Sequence, residues 1–126
     1  MLMITLDDCQ MKPKARPRVT ANGTFMPGGY QDWRNETRFA MVRAMQGRAP
    51  LAVPLSVTIQ QASARRGRGD IDNMAGGILD AGNGVIWQDD RHIQALSVCW
   101  LQAPKDAAPS VVITVRHWNA KTGREE

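Results

Sequence analysis

The segment Asp70-Ile71-Asp72-Asn73 is followed, after a short interval, by Trp87-Gln88-Asp89-Asp90. Two tight pairs of carboxylates are costly to bring together. Like charges repel, and one acid stays protonated unless something positive lies between them. A divalent metal supplies that charge most simply. Hard oxygen ligands suit Mg²⁺ or Mn²⁺, and Mg²⁺ usually takes only one or two carboxylates and keeps several waters. Taken singly, each pair has a plainer account, in which Asp72 caps a helix and Asp89-Asp90 sits in a solvated turn. The joint pattern favours a metal site, because glycine turns, a Trp, basic loops and a short helix accompany the two pairs.

The charge balance points the chemistry toward phosphate. Of the 126 residues, 16 are Lys or Arg and 12 are Asp or Glu, a formal charge of +4. Five of the acids (Asp70, Asp72, Asp80, Asp89, Asp90) fall between residues 70 and 90. If these gather at a metal, the remaining surface is strongly cationic, the footprint expected of a nucleic-acid partner. Most of the cations are Arg, which favours forked phosphate contacts. Lys12, Lys14, Arg16 and Arg18 alternate along a proline-interrupted stretch that is extended or looped. In an extended chain residues i and i+2 share a side, so these four form a cationic ladder. Arg65, Arg66 and Arg68 lie in a basic, glycine-containing loop just before Asp70, either an ordinary solvated loop or one that would guide a nucleic-acid strand to the metal.

These residues need elements to position them. Leu2 to Leu6 reads as a strand, and Asn22-Gly23 as a hairpin turn between Val19 and Phe25. Tyr30 to Met45 is the best helix, with Trp33, Thr37, Ala40, Met41 and Ala44 on one stripe. Leu55 to Ile59 reads as a strand. Asp72 to about Ala81 reads as a shorter helix, capped by Asp72 and stopped by Gly82-Asn83-Gly84. Asp72, Gly76 and Asp80 then stack along one helical face. Asp70 and Asp72 share a side if the lead-in is extended. Val85 to Trp87 reads as a short strand into Asp89-Asp90, of which only one acid would face the site. Ile93 to Leu101 and Val111 to Trp118 are two more strands, and the polar tail 119–126 is expected to fray.

The order of elements predicts a single α+β domain over residues 1–126, a small mixed β-sheet with two main helices. No run approaches a membrane span, and Met1 to Leu6 is too short for a signal peptide, so the cytoplasm is the expected location. Cys9 and Cys99 are isolated thiols without a CxxC pattern, read as small apolar residues near strands. His92 and the Trp residues at 87, 100 and 118 are read as packing residues, and His117 has no visible partner.

The run from Gly69 to Asp90 resembles the signature of RusA-type Holliday junction resolvases. That pattern reads Asp-x-Asp-Asn-x-x-Lys-x-x-x-Asp, then Ala-Leu-Asn-Gly-like residues, then an aromatic, one residue and Asp-Asp. The basic stretch Lys12 to Arg18, and Tyr30 and Trp33 at the start of the first helix, are similar to the family as well, so the resemblance spans about residues 3–118. It implies a homodimer that binds four-way (Holliday) DNA junctions and makes paired symmetric nicks with Mg²⁺. By motif position Asp70, Asp72 and Asp90 are the implied catalytic and metal-binding carboxylates. Asp80 matches another family acid, and Asp89 is a further possible member. The family Lys, four residues after the second Asp, is Gly76 here. Either a cation from elsewhere (Lys12, Lys14 or Arg91) fills the gap, or the chain is a catalytically impaired branched-DNA-binding protein. Gly82 stands where the family usually has Leu, and His92 where it usually has Gln.

Overall fold

The structure is a computed structural model, and it describes residues 1–16, 18–25, 28–67 and 69–126, with the backbone alone for Arg18 and Phe25. The elements run β1 (Leu2–Asp7), β2 (Arg18–Thr20), β3 (Gly23–Phe25), α1 (Gly28–Met45), β4 (Leu55–Ser63), α2 (Ile71–Gly82), a 3₁₀ turn (Asp90–His92), β5 (Ile93–Gln102), β6 (Ser110–Asn119) and β7 (Arg124–Glu125). The main sheet has five strands in the order β1-β6-β4-β5, with β7 added beside β6. Among the strands of the described residues, β4 and β5 pair in parallel and the other pairings are antiparallel. Parallel neighbours need a long crossover. Here it is the stretch that carries the basic loop, α2 and the acid pair. The mixed α+β domain expected from the sequence is therefore the observed one.

Alternation sets which face is covered. Ile4, Ile113 and Ile59 lie side by side in register across β1, β6 and β4, and all three are fully buried. Leu55, Val57, Val111 and Val115 join them on the same face. The two helices cover it with Met41 and Met45 from α1 and Met74, Ala75, Ile78 and Ala81 from α2. Each large apolar side chain removed from water there contributes about 1.5–3 kcal/mol.

One inward position is polar. Gln61 occupies the row of Leu6 and Val111 and is almost completely buried. Its amide is satisfied by the chain leaving β1 and by the start of β6: Nε2 donates to the carbonyls of Cys9 (3.1 Å) and Ser110 (3.1 Å), and Oε1 accepts from the Met11 amide (2.6 Å). A buried amide left without partners would cost several kcal/mol, so these bonds fix where residues 9–11 run. The Cys9 thiol is buried beside them, and burial pushes it up to about 11 against a smaller opposing effect of Thr37.

Several boundaries differ from expectation. β4 runs on to Ser63, because its alternation continues through Gln61 rather than an apolar residue. The helix α2 starts one residue early, so Asp70, not Asp72, holds the N-cap position, with extended dihedrals and no side-chain cap bond. Val85 to Trp87 is a turn with isolated bridges from Trp87 to Leu51 and Asn83, not a strand. The polar tail does not fray but folds back as β7: Glu125 accepts from Ser56 Oγ (2.6 Å) and from Arg116 (2.9 Å), which hold its carboxyl below the usual range. The Asn22-Gly23 hairpin is present as expected, with Gly23 at φ +116°.

Trp87 explains a second departure. Its ring is fully buried and its Nε1 donates to the Leu79 carbonyl at 3.1 Å. A Cβ on Gly82 would lie 2.5 Å from Trp87 Cζ2 and 2.8 Å from Cε2. A larger residue at 82 has no room while this Trp packs beneath the helix end. Alanine replacing an exposed helical glycine normally stabilises by about 1 kcal/mol. Gly82→Ala is expected to do the opposite and destabilise by about 1–3 kcal/mol through overpacking. Equilibrium urea unfolding checks this, and a gain in stability would show that the Trp87 ring yields.

Candidate active site

The site begins with a strap. After the Gln61 anchor, residues 10–16 form no regular element and cross the first half of α2. The Lys14 amide donates to the Asn73 carbonyl at 3.0 Å. Trp33 of α1 reaches over to donate its Nε1 to the Gln10 carbonyl at 2.9 Å. Exposure alternates along the strap: Lys12, Lys14 and Arg16 are exposed, Pro13 and Ala15 half-buried. Three members of the expected cationic ladder are thus exposed; the side chain of Arg18 lies outside the described residues.

Glycines make this passage possible. A Cβ on Gly77 would fall on the Lys12 carbonyl oxygen and 3.2 Å from the Trp33 ring. A Cβ on Gly69, which also has φ +101°, would lie 2.8 Å from Pro13 Cγ. Gly67 faces Gln10 Nε2 and Met74 Sδ, both at 3.3 Å from its absent Cβ. Gly76 is different. Its absent Cβ would meet only the stem of Lys14, at 3.4 Å from Cβ and 3.9 Å from Cδ, an ordinary contact. The strap therefore lies wedged between the basic loop and α2.

The carboxylates fall into three situations. Asp70 and Asp72 stand at the start of α2, exposed and without an ion pair among the described residues. Asp72 Oδ1 accepts from the Asn73 amide at 2.9 Å. The positive end of the helix favours carboxylates in this first turn. Asp80 lies two turns along the helix and is already partnered. Its Oδ2 accepts from the Tyr30 hydroxyl (2.8 Å) and from Arg34 Nη1 (3.2 Å), so it ties α2 to α1. Burial, and then the neighbouring Asp80 carboxylate, push the Tyr30 phenol well above its ordinary range. Asp89 and Asp90 are at the 3₁₀ turn, against which α2 packs. Asp89 Oδ1 accepts from the Arg91 amide at 2.9 Å and so caps the turn; Asp90 is half-buried. Among the described residues no three Asp, Glu, His or Cys side chains are grouped closely enough to hold a metal ion together.

The remaining candidates are quickly placed. Arg65 and Arg66 are exposed on the loop ahead of Asp70, while Arg68 lies outside the described residues. Trp100 is half-buried, with Nε1 donating to Ser63 Oγ at 2.9 Å, which fits its reading as a packing residue. His92 is half-buried, and its Nε2 is buried without a partner among the described residues. Sequence reasoning missed the roles of Gln61, Arg34 and the Tyr30 hydroxyl. A polar residue at an inward strand position was the one available signal for Gln61.

A family model described as Endodeoxyribonuclease RusA matches residues 8–116, from the strap through β6. The chain belongs to the RusA endodeoxyribonuclease family. No curated protein matches the chain at a significant level. Membership in the RusA family implies an endonuclease of Holliday junctions with a branched-DNA substrate, and the family is generally metal-dependent. No helix of the described chain is long and apolar enough to cross a membrane. The donor chemistry suits a hard cation. Asp70 and Asp72 offer exposed carboxylate oxygens two residues apart, and Mg²⁺ is commonly held by one or two carboxylates together with phosphate and water.

The two adjacent glycines of α2 give a paired test. Gly76→Ala should leave stability unchanged or raise it by up to about 1 kcal/mol, because its Cβ meets only a flexible stem. Gly77→Ala should destabilise by about 1–3 kcal/mol, because its Cβ meets backbone. Urea unfolding of both variants checks this, and equal effects would contradict the close passage of the strap.

Proposed function

We propose that this chain is a Mg²⁺-dependent endodeoxyribonuclease, with Mn²⁺ as a substitute, that resolves four-way DNA junctions by paired symmetric nicks in recombination and repair. The observation that carries the reading is the juxtaposition at the start of α2. Exposed carboxylates at Asp70 and Asp72 stand beside an exposed cationic strap in a chain of the RusA family. Asp70 and Asp72 are the residues that would hold the ion, with Asp90 as the third acid. A bound divalent ion supplies polarisation of the scissile phosphate and a more acidic water. The chain's own residues do the rest. Lys12, Lys14 and Arg16 on the strap, with Arg18, Arg65, Arg66 and Arg68, bind phosphates of the arms. Such contacts position the substrate without reading its sequence, so selectivity comes from junction shape. Asp80 acts through packing: bonded to Tyr30 and Arg34, it keeps α1 against α2 and so fixes the strap's bed. Two copies in a two-fold homodimer would match the two opposed strands cut in a junction.

A second reading is a junction-binding protein that cuts poorly. It is favoured by Gly76 and by the absence, among the described residues, of a three-carboxylate group. One experiment separates the two. An end-labelled four-way junction is incubated with the protein and Mg²⁺, beside matched linear duplex. Paired nicks in the junction alone, lost in Asp70→Asn and Asp72→Asn by at least about a hundredfold, are the expected outcome. A gel shift of the junction with no cleavage supports the binding-only reading. Equal cutting of duplex and junction would sink both.

A further inference from the structure

We infer that Lys14, delivered from the strap, is the charge-stabilising cation of this nuclease site. It would contact the scissile phosphate beside the divalent ion that Asp70 and Asp72 would hold. The inference deepens the proposed function and rests on it.

Three observations carry the placement. First, the backbone leading into Lys14 is fixed at two points. Its amide is bonded to the Asn73 carbonyl, the residue directly after Asp72, and the preceding Lys12 carbonyl is seated on Gly77. Second, the Lys14 stem lies along Gly76, with Cβ and Cδ at 3.4 and 3.9 Å from the position a side chain there would start from. Residues 72 and 76 are one helical turn apart and share a face. The stem therefore fills the place below Asp72 that a helix side chain would otherwise take. Third, neither Lys14, Asp70 nor Asp72 has an ion pair among the described residues, although all three are exposed. By contrast, the Lys12 ammonium donates to the Gly29 carbonyl (3.4 Å) and Arg34 is held by Asp80.

The arrangement gives Gly76 a reason. A strap lying this close to a helix needs Gly77 bare for its backbone, and a bare residue 76 lets a lysine from another part of the chain stand on the helix face. A cation fixed beside a phosphate stabilises the charge that builds on its oxygens during displacement. A strap cation that only binds DNA would act equally on bound substrate and transition state, lowering the dissociation constant and leaving the bound rate alone.

The test is single-turnover cleavage of a four-way junction, protein in excess at saturating concentration, with junction affinity measured separately by gel shift in a chelator. Lys14→Met keeps a stem on Gly76 and removes the charge. It should slow the saturated rate by about a hundredfold or more while affinity falls only a few-fold. Lys14→Arg should retain part of the rate. Lys14→Ala combined with Gly76→Lys should recover much of what Lys14→Ala alone loses, because the new ammonium rises from the helix at the same place. Circular dichroism and urea unfolding of each variant separate loss of charge from loss of fold. A Lys14→Met protein that cuts at the unaltered rate overturns the inference and leaves the proposed function standing. So does a loss explained wholly by affinity, or a folded double variant without recovery. An unaltered protein that cuts no junction overturns both.

Discussion

The passage of the strap over Gly76 and Gly77 is the contact on which the rest of the site depends. A polypeptide backbone approaches a helix this closely only where the helix has no side chains. The cost falls at Gly77, which that approach requires bare and which weakens the helix by about 1 kcal/mol relative to alanine; Gly76 beside it meets only the Lys14 stem. Tertiary bonds offset it. Gln61 fixes the start of the strap, Trp33 holds Gln10, and Asn73 holds Lys14. The helix exists because its apolar side, with Met74, Ala75, Ile78 and Ala81, is buried on the sheet. Its own propensity would not sustain it.

The same contact organises charge. Two carboxylates remain open to solvent at the head of α2, where the helix dipole favours them. The third acid on that helix, Asp80, is withdrawn into a bonded cluster with Tyr30 and Arg34. One helix thus carries acids in opposite states: Asp80 cross-links two helices, while Asp70 and Asp72 are exposed and without an ion pair among the described residues. The cations divide in the same manner. Arg34 is fixed by its partner, whereas Lys14, Arg65 and Arg66 are exposed and without an ion pair among the described residues. An arrangement of unpaired opposite charges around one helix start suits a polyanionic substrate with a cation better than it suits stability, since pairing the charges would serve stability more directly.

Much of this was legible in the sequence, because it follows from local rules. The period of two in the strands, the period of 3.6 in α1, the Asn-Gly turn and the family signature all act over a few residues. They gave the mixed sheet, the two helices, the hairpin, the alternating exposure of Lys12, Lys14 and Arg16, and the family. Local rules also misled at particular places. Asp72 has the right type for a cap, but Asp70, two residues earlier, already occupies that position. The tail 119–126 is polar enough to fray, yet Ser56 and Arg116 give Glu125 partners distant in sequence. Val85 to Trp87 has strand-like residues, but Trp87 is used to plug the helix end against Gly82.

By itself, then, the sequence determined which elements form and which residue types carry the chemistry, since backbone periodicity and carboxylate charge are properties of short segments. What only the tertiary structure decided is which groups are spent and which are left free. That Asp80 is ion-paired and Asp72, among the described residues, is not, that Gly82 yields to a Trp, and that Lys14 stands over Gly76 depend on contacts between segments far apart in the chain. Spacing along one segment does not encode such contacts; the packing of α1, the strap and the sheet around α2 does.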